Sequence, residues 1–596
     1  MSRAGPNVDH GDFMATSDDY RKQQSDVIVD LLHRYGFRYA AINPGASYRG
    51  LHDSIVNYGG NRPELLLCQH EKTAVQIAQG YARATGEPMV AIVHDVVGLL
   101  HAQLGIYYAN SDRAPVFIIG ATGPMDESKR RPRSDWHHTA LVQGEAVRNY
   151  TKYDYQPYSI EGVPDSFMRA YSAMMTEPRG PVYMCYDAML QETPLTCHVE
   201  MPPGDFEPVP ARMAADPAAL EKIVDALLAR ERSWILAEYS GRTAGNFEKL
   251  VELAETLAVA VWDLNASLCF PNRHPLNLSM DTESLGQADA ILALDVREWE
   301  KETAKLDSTS RELTSYLKPA CQWMELGFHE IGIGSWALDY GRYLPKSLSA
   351  LGDPALAMPE MTRIARGKIA GDPALAGKVE ARRSEIAARH DANFARWAKE
   401  AQKDRDASPV QLARLAEEVW NVIRDEDWVC ATGTLREWAR RLWDFDRPWR
   451  HPGKDLGTAT QISTSIGVGL AYRGSGKVVV ALQPDGDLMF DVGALWTAAK
   501  HRIPLLIVMF NNRAYYNDWH HQIRMARARG TDEAKAHIGM DILDPEPDFA
   551  AAARAMGVWG EGPIEEPAGI GPALRRALEV VKSGRPALVD VVTQHR

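Results

Sequence analysis

The sequence predicts an α/β chain of three doubly wound, parallel-sheet domains, and three observations carry that prediction. Over residues 478–517 a β-branched run at 478–482 breaks at Pro484-Asp485-Gly486-Asp487. It passes through a helix-length segment and enters a second apolar run, 504–510, before Asn511-Asn512. That pattern is a strand, a tight turn, a crossover helix and a second strand, and such a connection makes the two strands parallel neighbours. The same strand–helix alternation recurs earlier in the chain, as in sheets covered by helices on both faces. Composition agrees: of 596 residues 45% are apolar and 24% charged, a globular balance with length for three or four ordinary domains.

Taken in order, Val27, Leu31 and Leu32 mark a helix from residue 24, followed by a strand at 39–42 that ends at Asn43-Pro44-Gly45. Strands at 65–68, 89–93 and 116–119 alternate with helices at 72–85 and 100–111. A strand at 181–186 closes this first unit before the proline-rich stretch 194–210. A second unit has strands at 234–237, 259–262 and 290–294, with helices beginning near Asp216 and Gly245. Residues 373–405, dense in Lys, Arg, Glu and Ala, read as a long exposed helix or linker. Pro409 opens a third unit, with a helix to Ile423, a strand at 428–431 and then the 478–517 stretch. The expected division is a flexible tail over 1–24, α/β domains over 25–195, 205–370 and 406–596, and a helical linker over 371–405.

Charge and cysteine usage remove several function classes. The net charge of −13 opposes a nucleic-acid surface, which needs a concentrated basic face. The dense basic run Lys129-Arg130-Arg131-Pro132-Arg133 is broken by proline and flanked by Asp126, Glu127 and Asp135, as in a solvated loop. No stretch approaches the roughly 20 apolar residues of a membrane span, and the polar first 24 residues are unlike a secretory signal. Six scattered cysteines without a C-x-x-C pair fit a reduced, cytoplasmic protein without structural zinc.

The 478–517 stretch also carries chemistry. Asp485 and Asn512 fall together at the carboxyl ends of adjacent strands, where open α/β sheets bind ligands. A carboxylate beside an amide oxygen suits Mg²⁺, which keeps few protein ligands and fills its sphere with waters and phosphates. An ordinary Asp-Gly turn and an Asn-Asn loop would read the same way.

A Gly-Asp-Gly-like turn followed by Asn-Asn, here 27 residues after Asp485, resembles the thiamine diphosphate enzymes of the acetolactate synthase, benzoylformate decarboxylase and 2-hydroxyacyl-CoA lyase superfamily. The first glycine is replaced by Pro484, and the resemblance extends over nearly the whole chain after residue 24. It implies pyrimidine-binding, central and diphosphate-binding domains in that order. Asp485, the Asn512 side chain and the Ala514 carbonyl would hold Mg²⁺, with Gly486 and Asp487 beside the cofactor. Thr432-Gly433-Thr434, after the 428–431 strand and before a helix expected from Leu435, resembles a phosphate-facing turn. A simple helix cap is equally compatible there.

In the first domain, HEKTAVQIAQGYARATG, starting at His70, resembles the family's pyrimidine-activating segment and implies Glu71 as the carboxyl group that activates the aminopyrimidine for removal of the C2 proton. An acidic residue in a helix's first turn is the plain alternative. The strand at 90–93 ends in His94, 23 residues after Glu71, where benzoylformate decarboxylase also places a histidine. His94 is a candidate proton shuttle, the alternative being a histidine that caps a turn. His70 is read as packing or orienting the helix and His101 as lying on a helix surface. Ala46, Tyr515, Tyr516, Asn517, His520 and His521 are candidate substrate neighbours, though 515–521 also reads as a solvated helix start.

No G-x-G-x-x-G follows a strand in the central domain, so no catalytic flavin is expected. The resemblance implies a homodimer or homotetramer with shared active sites. The expected activity is a thiamine diphosphate- and Mg²⁺-dependent 2-oxo acid decarboxylase or acetolactate synthase-like carboligase, acting on a 2-oxo acid, aldehyde or acyl-CoA, with a 2-hydroxyacyl-CoA lyase as the enzymatic alternative. A non-catalytic cofactor-binding homologue with a regulatory or scaffold role is the alternative of another class, raised by Pro484 and by the small, polar stretch 456–462, where the family places a bulky apolar residue.

Overall fold

The computed structural model describes residues 21–595 apart from 205, 335, 338–342, 344 and 455. Three parallel sheets organise them. The first comprises β1 (Tyr39–Ile42), β2 (Glu64–Leu67), β3 (Met89–Ile92), β4 (Val116–Thr122), β5 (Tyr153–Tyr155) and β6 (Val182–Asp187), in the order β2-β1-β3-β4-β6-β5. The second contains β7 (Ser233–Ala237), β8 (Ala260–Asp263) and β9 (Ala290–Leu294). A small antiparallel pair, β10 (Ala304–Leu306) and β11 (Leu313–Ser315), precedes its remaining strands β12 (Gln322–Gly327) and β13 (Leu348–Leu351), and the order is β13-β12-β9-β7-β8. The third contains β14 (Trp428–Cys430), β15 (Val478–Pro484), β16 (Leu506–Asn511), β17 (Trp559–Ile564) and β18 (Ala587–Val592), in the order β14-β15-β16-β18-β17. The α/β class with parallel-sheet domains is the one expected. Strands covered on both faces read as unbroken apolar runs, and β4 and β18 are buried at every residue.

The first and third sheets share a core. The helix Glu71–Thr85 lies against the helix Gln461–Ala471, and Ala74, Val75, Ile77 and Ala78 join Ile462 and Ile466 in one buried cluster. The approach is backbone on backbone: a Cβ on Gly80 would run into the Thr464 carbonyl, and one on Gly467 into that of Ile77. Polar bonds extend the contact, with Thr73 Oγ1 donating to Asp491 Oδ1 at 2.9 Å and Lys72 Nζ 3.2 Å from Asp491 Oδ2. The second sheet has its own core around Ile235, Val261 and Leu292.

Three local expectations change. The segment expected as an exposed helix or linker is one helix, Pro373–Ala401, that buries a stripe of Val379, Arg382, Ile386, His390 and Trp397. Arg382 sits in that stripe because its guanidinium donates to the carbonyls of Leu227 and Arg230 at 2.9 and 2.8 Å. The helix expected from Leu435 starts at Trp438, because Leu435, Arg436 and Glu437 all take positive φ (50°, 52° and 71°). The tail expected over 1–24 lies, for residues 1–20, outside the described residues. Lys22 and Gln23 already donate their N–H groups to Asp26, at 2.8 and 2.9 Å, ahead of the first helix Gln24–Arg34. Among the described residues no helix is long and apolar enough to cross a membrane.

Candidate active site

The carboxyl end of β15 forms one half of the site. Pro484 ends the strand at φ −76°, an extended conformation its ring already favours, and precedes the short helix Asp485–Met489. It lies beyond the reach of β14, which pairs only with Val478–Val480, so its missing N–H leaves no ladder position on that side unfilled. Replacement of the usual glycine therefore keeps the turn. The Ala514 N–H donates to both Asp485 Oδ2, at 3.2 Å, and Asn512 Oδ1, at 3.0 Å, so carboxylate and amide oxygens converge on one point.

Asp485 is 1% exposed, and burial pushes its carboxyl up to about 6. No described ion pair reaches it, although an unpaired buried carboxylate costs on the order of several kcal/mol. A bound cation would supply the missing charge, so the donor set fits Mg²⁺. Gly486 packs under Tyr515, whose ring a Cβ would meet at 2.7 Å. Asp487 is committed to structure: its carboxylate accepts from Gln483 Nε2 at 3.0 Å and from the N–H groups of Thr460 and Gln461 at 3.3 and 3.2 Å.

The Thr432-Gly433-Thr434 turn follows β14, next to β15. A Cβ on Gly433 would lie 2.8 Å from the Leu482 carbonyl and 2.9 Å from Gln461 Oε1, an oxygen that is buried without a hydrogen-bond partner, as is Gln483 Oε1. The glycine leaves room for a bulky group beside these unfilled acceptors, which a cation or a donor carried by that group, and not a diphosphate oxygen, would complete. On the other side of Asn512, Tyr516, Asn517, His520 and His521 belong to the helix Tyr516–Arg529, which buries none of its residues. Tyr516 stacks on His595 with ring centroids 4.5 Å apart, and Asn517 and His521 are exposed.

The other half stands at the carboxyl ends of β1 to β3. His70 caps the helix Glu71–Thr85 by accepting the Lys72 N–H at 3.1 Å, which leaves Glu71 as its first residue, 4% exposed. Gly98 fixes the relation of Glu71 to His94: a Cβ there would lie 2.8 Å from Glu71 Oε1 and 2.7 Å from His94 Cβ. His94 is held on both sides, with Nδ1 2.7 Å from Ser47 Oγ and Nε2 3.5 Å from Asp95 Oδ1. Gly45 makes room for its ring, since a Cβ would come within 2.5 Å of Nδ1. Burial, with the neighbouring His138, lowers the His94 pKa, and burial pushes the Asp95 carboxyl up to about 7.

Four residues of this cluster were missed in the sequence. Ser47, not its exposed neighbour Ala46, meets His94. His101 is largely exposed, as a surface residue should be, yet its Nδ1 lies 3.3 Å from Glu71 Oε2 and its ring stacks on His70 at 4.9 Å. Spacing gives it away, because Gly98 and His101 are one turn apart on the helix Val96–Ser111. Asp95 directly follows His94. His138, with ring centroid 5.5 Å from that of His94, ends the short helix Asp135–His138, more than 40 residues along the chain, and leaves no local signal.

The structure thus brings Glu71 and His94 together, and Asp485, Asn512 and Ala514 together. No hydrogen bond or ion pair among the described residues joins the two groups. A cavity of about 50 Å³ is lined by residues of both the first and the second α/β units, among them Arg83, Arg179, Tyr239 and Phe328. The Arg113–Asp295 ion pair (2.7 Å) and Arg242, paired with Asp112, line it.

Comparison with known proteins gives two family matches: the N-terminal TPP binding domain of thiamine pyrophosphate enzymes over residues 22–145, and the C-terminal TPP binding domain over residues 431–591. Acetolactate synthase 1, chloroplastic, of Nicotiana tabacum is 24% identical over 97% of this chain and 83% of its own length. The large subunit of acetolactate synthase isozyme 3 of Escherichia coli strain K12 is 22% identical over 95% and 94%. Benzoylformate decarboxylase from Polynucleobacter necessarius shares the fold with a TM-score of 0.75 at 17% identity, covering 96% of this chain and 99% of that one.

Proposed function

Since this chain carries both cofactor-binding domains of the thiamine pyrophosphate enzymes and is an enzyme of that family, we propose that it breaks or forms a carbon–carbon bond beside a carbonyl, as a thiamine diphosphate- and Mg²⁺-dependent 2-oxo acid decarboxylase or carboligase. The observation that carries the proposal is the convergence of Glu71 and His94 on Gly98, with a second cluster of oxygen ligands at Asp485 and Asn512. Asp485, Asn512 and the Ala514 carbonyl are assigned to Mg²⁺, Thr432, Gly433, Thr434 and Gly486 to the diphosphate, and Glu71 to the aminopyrimidine. The bound cofactor supplies an electron sink for the carbanion left when the bond beside the carbonyl breaks.

The protein's part is proton handling and exclusion of water. Glu71 presents a buried carboxyl group, walled by Gly98 on one side and His101 on the other. His94 is depressed below the ordinary 6.5 by burial and His138, so its imidazole is neutral near pH 7 and accepts or relays a proton. Asp95, whose carboxyl burial pushes up to about 7, stands 3.5 Å from His94 Nε2 as the group from which that proton is returned. A cluster so equipped favours protonation of the product carbon, hence decarboxylation. The similarity to acetolactate synthases supports carboligation as the second reading.

A homo-oligomer with shared sites accounts for the separation of the two clusters. Each is flanked by exposed apolar side chains, Leu100 and Leu104 near Glu71, Met489 and Phe490 near Asp485, as expected of surfaces that a second copy covers. The test is twofold. Asp485→Ala or Asn512→Ala is expected to abolish Mg²⁺-dependent retention of the cofactor, and unchanged affinity in both would remove the metal assignment. A screen of 2-oxo acids, aldehydes and 2-hydroxyacyl-CoAs with products identified by mass spectrometry separates decarboxylation from carboligation.

A further inference from the structure

The loop after β4 has features that a solvated loop does not need. Residues 130–141 enclose a concavity of about 380 Å³ lined by Arg130, Arg131, Arg133, Asp135, Trp136 and Leu141. Asp135 is buried and fully engaged with Arg131, accepting its N–H at 2.6 Å and its guanidinium at 3.0 and 3.3 Å. Its hydrogen bonds are therefore spent on Arg131, while its charge is also felt by Arg130. Arg130 donates Nε to the Pro124 carbonyl at 3.4 Å and has one distant carboxylate, that of the exposed Glu127, at 4.0 Å. Arg133 is exposed, held at φ +74°, and has no ion-pair partner among the described residues. Arg133 thus lines the concavity without a carboxylate of its own and Arg130 with only a long, exposed ion pair, beside an indole that is 80% exposed.

This concavity is connected to the catalytic cluster. The Trp136 ring meets His137 at 4.8 Å, His137 meets His138 at 4.3 Å, and His138 meets His94 at 5.5 Å, centroid to centroid. The positive charge of Arg131 is close enough to be felt at both His94 and Asp95, adding to the lowering of His94 by burial and opposing the rise that burial causes at Asp95. A line of rings therefore leads from His94, where the preceding section places proton transfer, to the concavity lined by Arg130 and Arg133 several ring widths away.

We propose that this concavity recognises the far end of the substrate, and that the far end is anionic: a terminal carboxylate or phosphate bound by Arg130 and Arg133, with the connecting chain lying along Trp136. The planar guanidinium fork matches both oxyanions, and an exposed indole offers apolar cover for the methylenes between the reacting carbonyl and the charge. The proposal rests on the assignment of His94 to the reacting end of the site, and its test separates the two.

The holoenzyme is assayed with 2-oxo acids of equal chain length ending in methyl or carboxylate, and with a 2-hydroxyacyl-CoA as the phosphate-bearing arm. Loss of a charge-assisted bond changes binding by about tenfold or more. The ratio of kcat/KM for charged over neutral termini is accordingly expected to exceed tenfold and to collapse in Arg130→Gln/Arg133→Gln, chiefly through KM. Which charged arm shows the preference identifies carboxylate or phosphate as the natural terminus.

Independently of turnover, glutarate and ADP are titrated against the fluorescence difference between wild type and Trp136→Phe. Saturable quenching by at least one of them, weakened by salt and absent in the double arginine variant, is expected. Quenching of this kind without turnover of any substrate would keep the recognition site and overturn the assigned reaction. Turnover with the same charged-to-neutral ratio in wild type and double variant would overturn the recognition site and leave the reaction standing.

Discussion

Gly98 is the residue on which the two groups proposed to handle protons depend, because Glu71 and His94 both occupy the space its side chain would need. Gly98→Ala is expected to slow C2 proton exchange of bound cofactor about tenfold or more, since displacements near 1 Å cost that much, with an unchanged circular dichroism spectrum; exchange at the wild-type rate would show that Gly98 does not set this geometry. Asp95 gives a prediction in pH. Burial raises its folded pKa from the ordinary 3.8 to about 7, so folding holds a proton that the unfolded chain releases, and the stability this residue contributes falls as pH rises from about 4 to about 7. Thermal melts of Asp95→Asn should therefore lose part of that slope and run above the wild type at pH 8. Parallel curves from pH 4 to 8 would contradict the assignment. At this scale the sequence exposes residues tied to a local signature, Glu71 at a helix start and Asp485 in a turn. It hides Ser47 and His138, which reach His94 only through tertiary packing.

The helix pair Glu71–Thr85 and Gln461–Ala471 is the element that ties the first sheet to the third, and it has no room for a methyl group at Gly80 or Gly467. Gly80→Ala or Gly467→Ala is expected to destabilise the chain by about 1–3 kcal/mol, the usual cost of overpacking, read as a lower urea midpoint. An unchanged midpoint in both would mean that the helices are not in backbone contact. Strands buried on both faces, such as β1 and β9, were legible as short apolar runs bounded by turn residues. β12 and β13 were not, because QWMELG and LSAL mix polar and apolar residues without a clear period. The Pro373–Ala401 helix misled through composition: its charges suggest exposure on all sides, while Arg382 and His390 find buried carbonyl partners.

For the whole molecule, the order of three α/β units was legible from alternation alone, and the cofactor from two separated signatures. How the two clusters of the proposed site meet was not, because no residue pattern encodes whether one chain or two supply them. The apolar surfaces beside Glu71 and Asp485 favour a site completed between two chains, so sedimentation is expected to show a dimer or tetramer, and a monomer that exchanges C2 protons at the full rate would exclude shared sites. Subunit complementation tests the divided site most directly. Glu71→Gln and Asp485→Ala chains, co-expressed with different tags and purified as the mixed dimer, would place both lesions in one site and leave the other intact. The measurement is C2 proton exchange of bound thiamine diphosphate with Mg²⁺: the divided site predicts about half the wild-type exchange from the mixed dimer and almost none from either variant alone. Exchange as slow in the mixed dimer as in the two variants would contradict it.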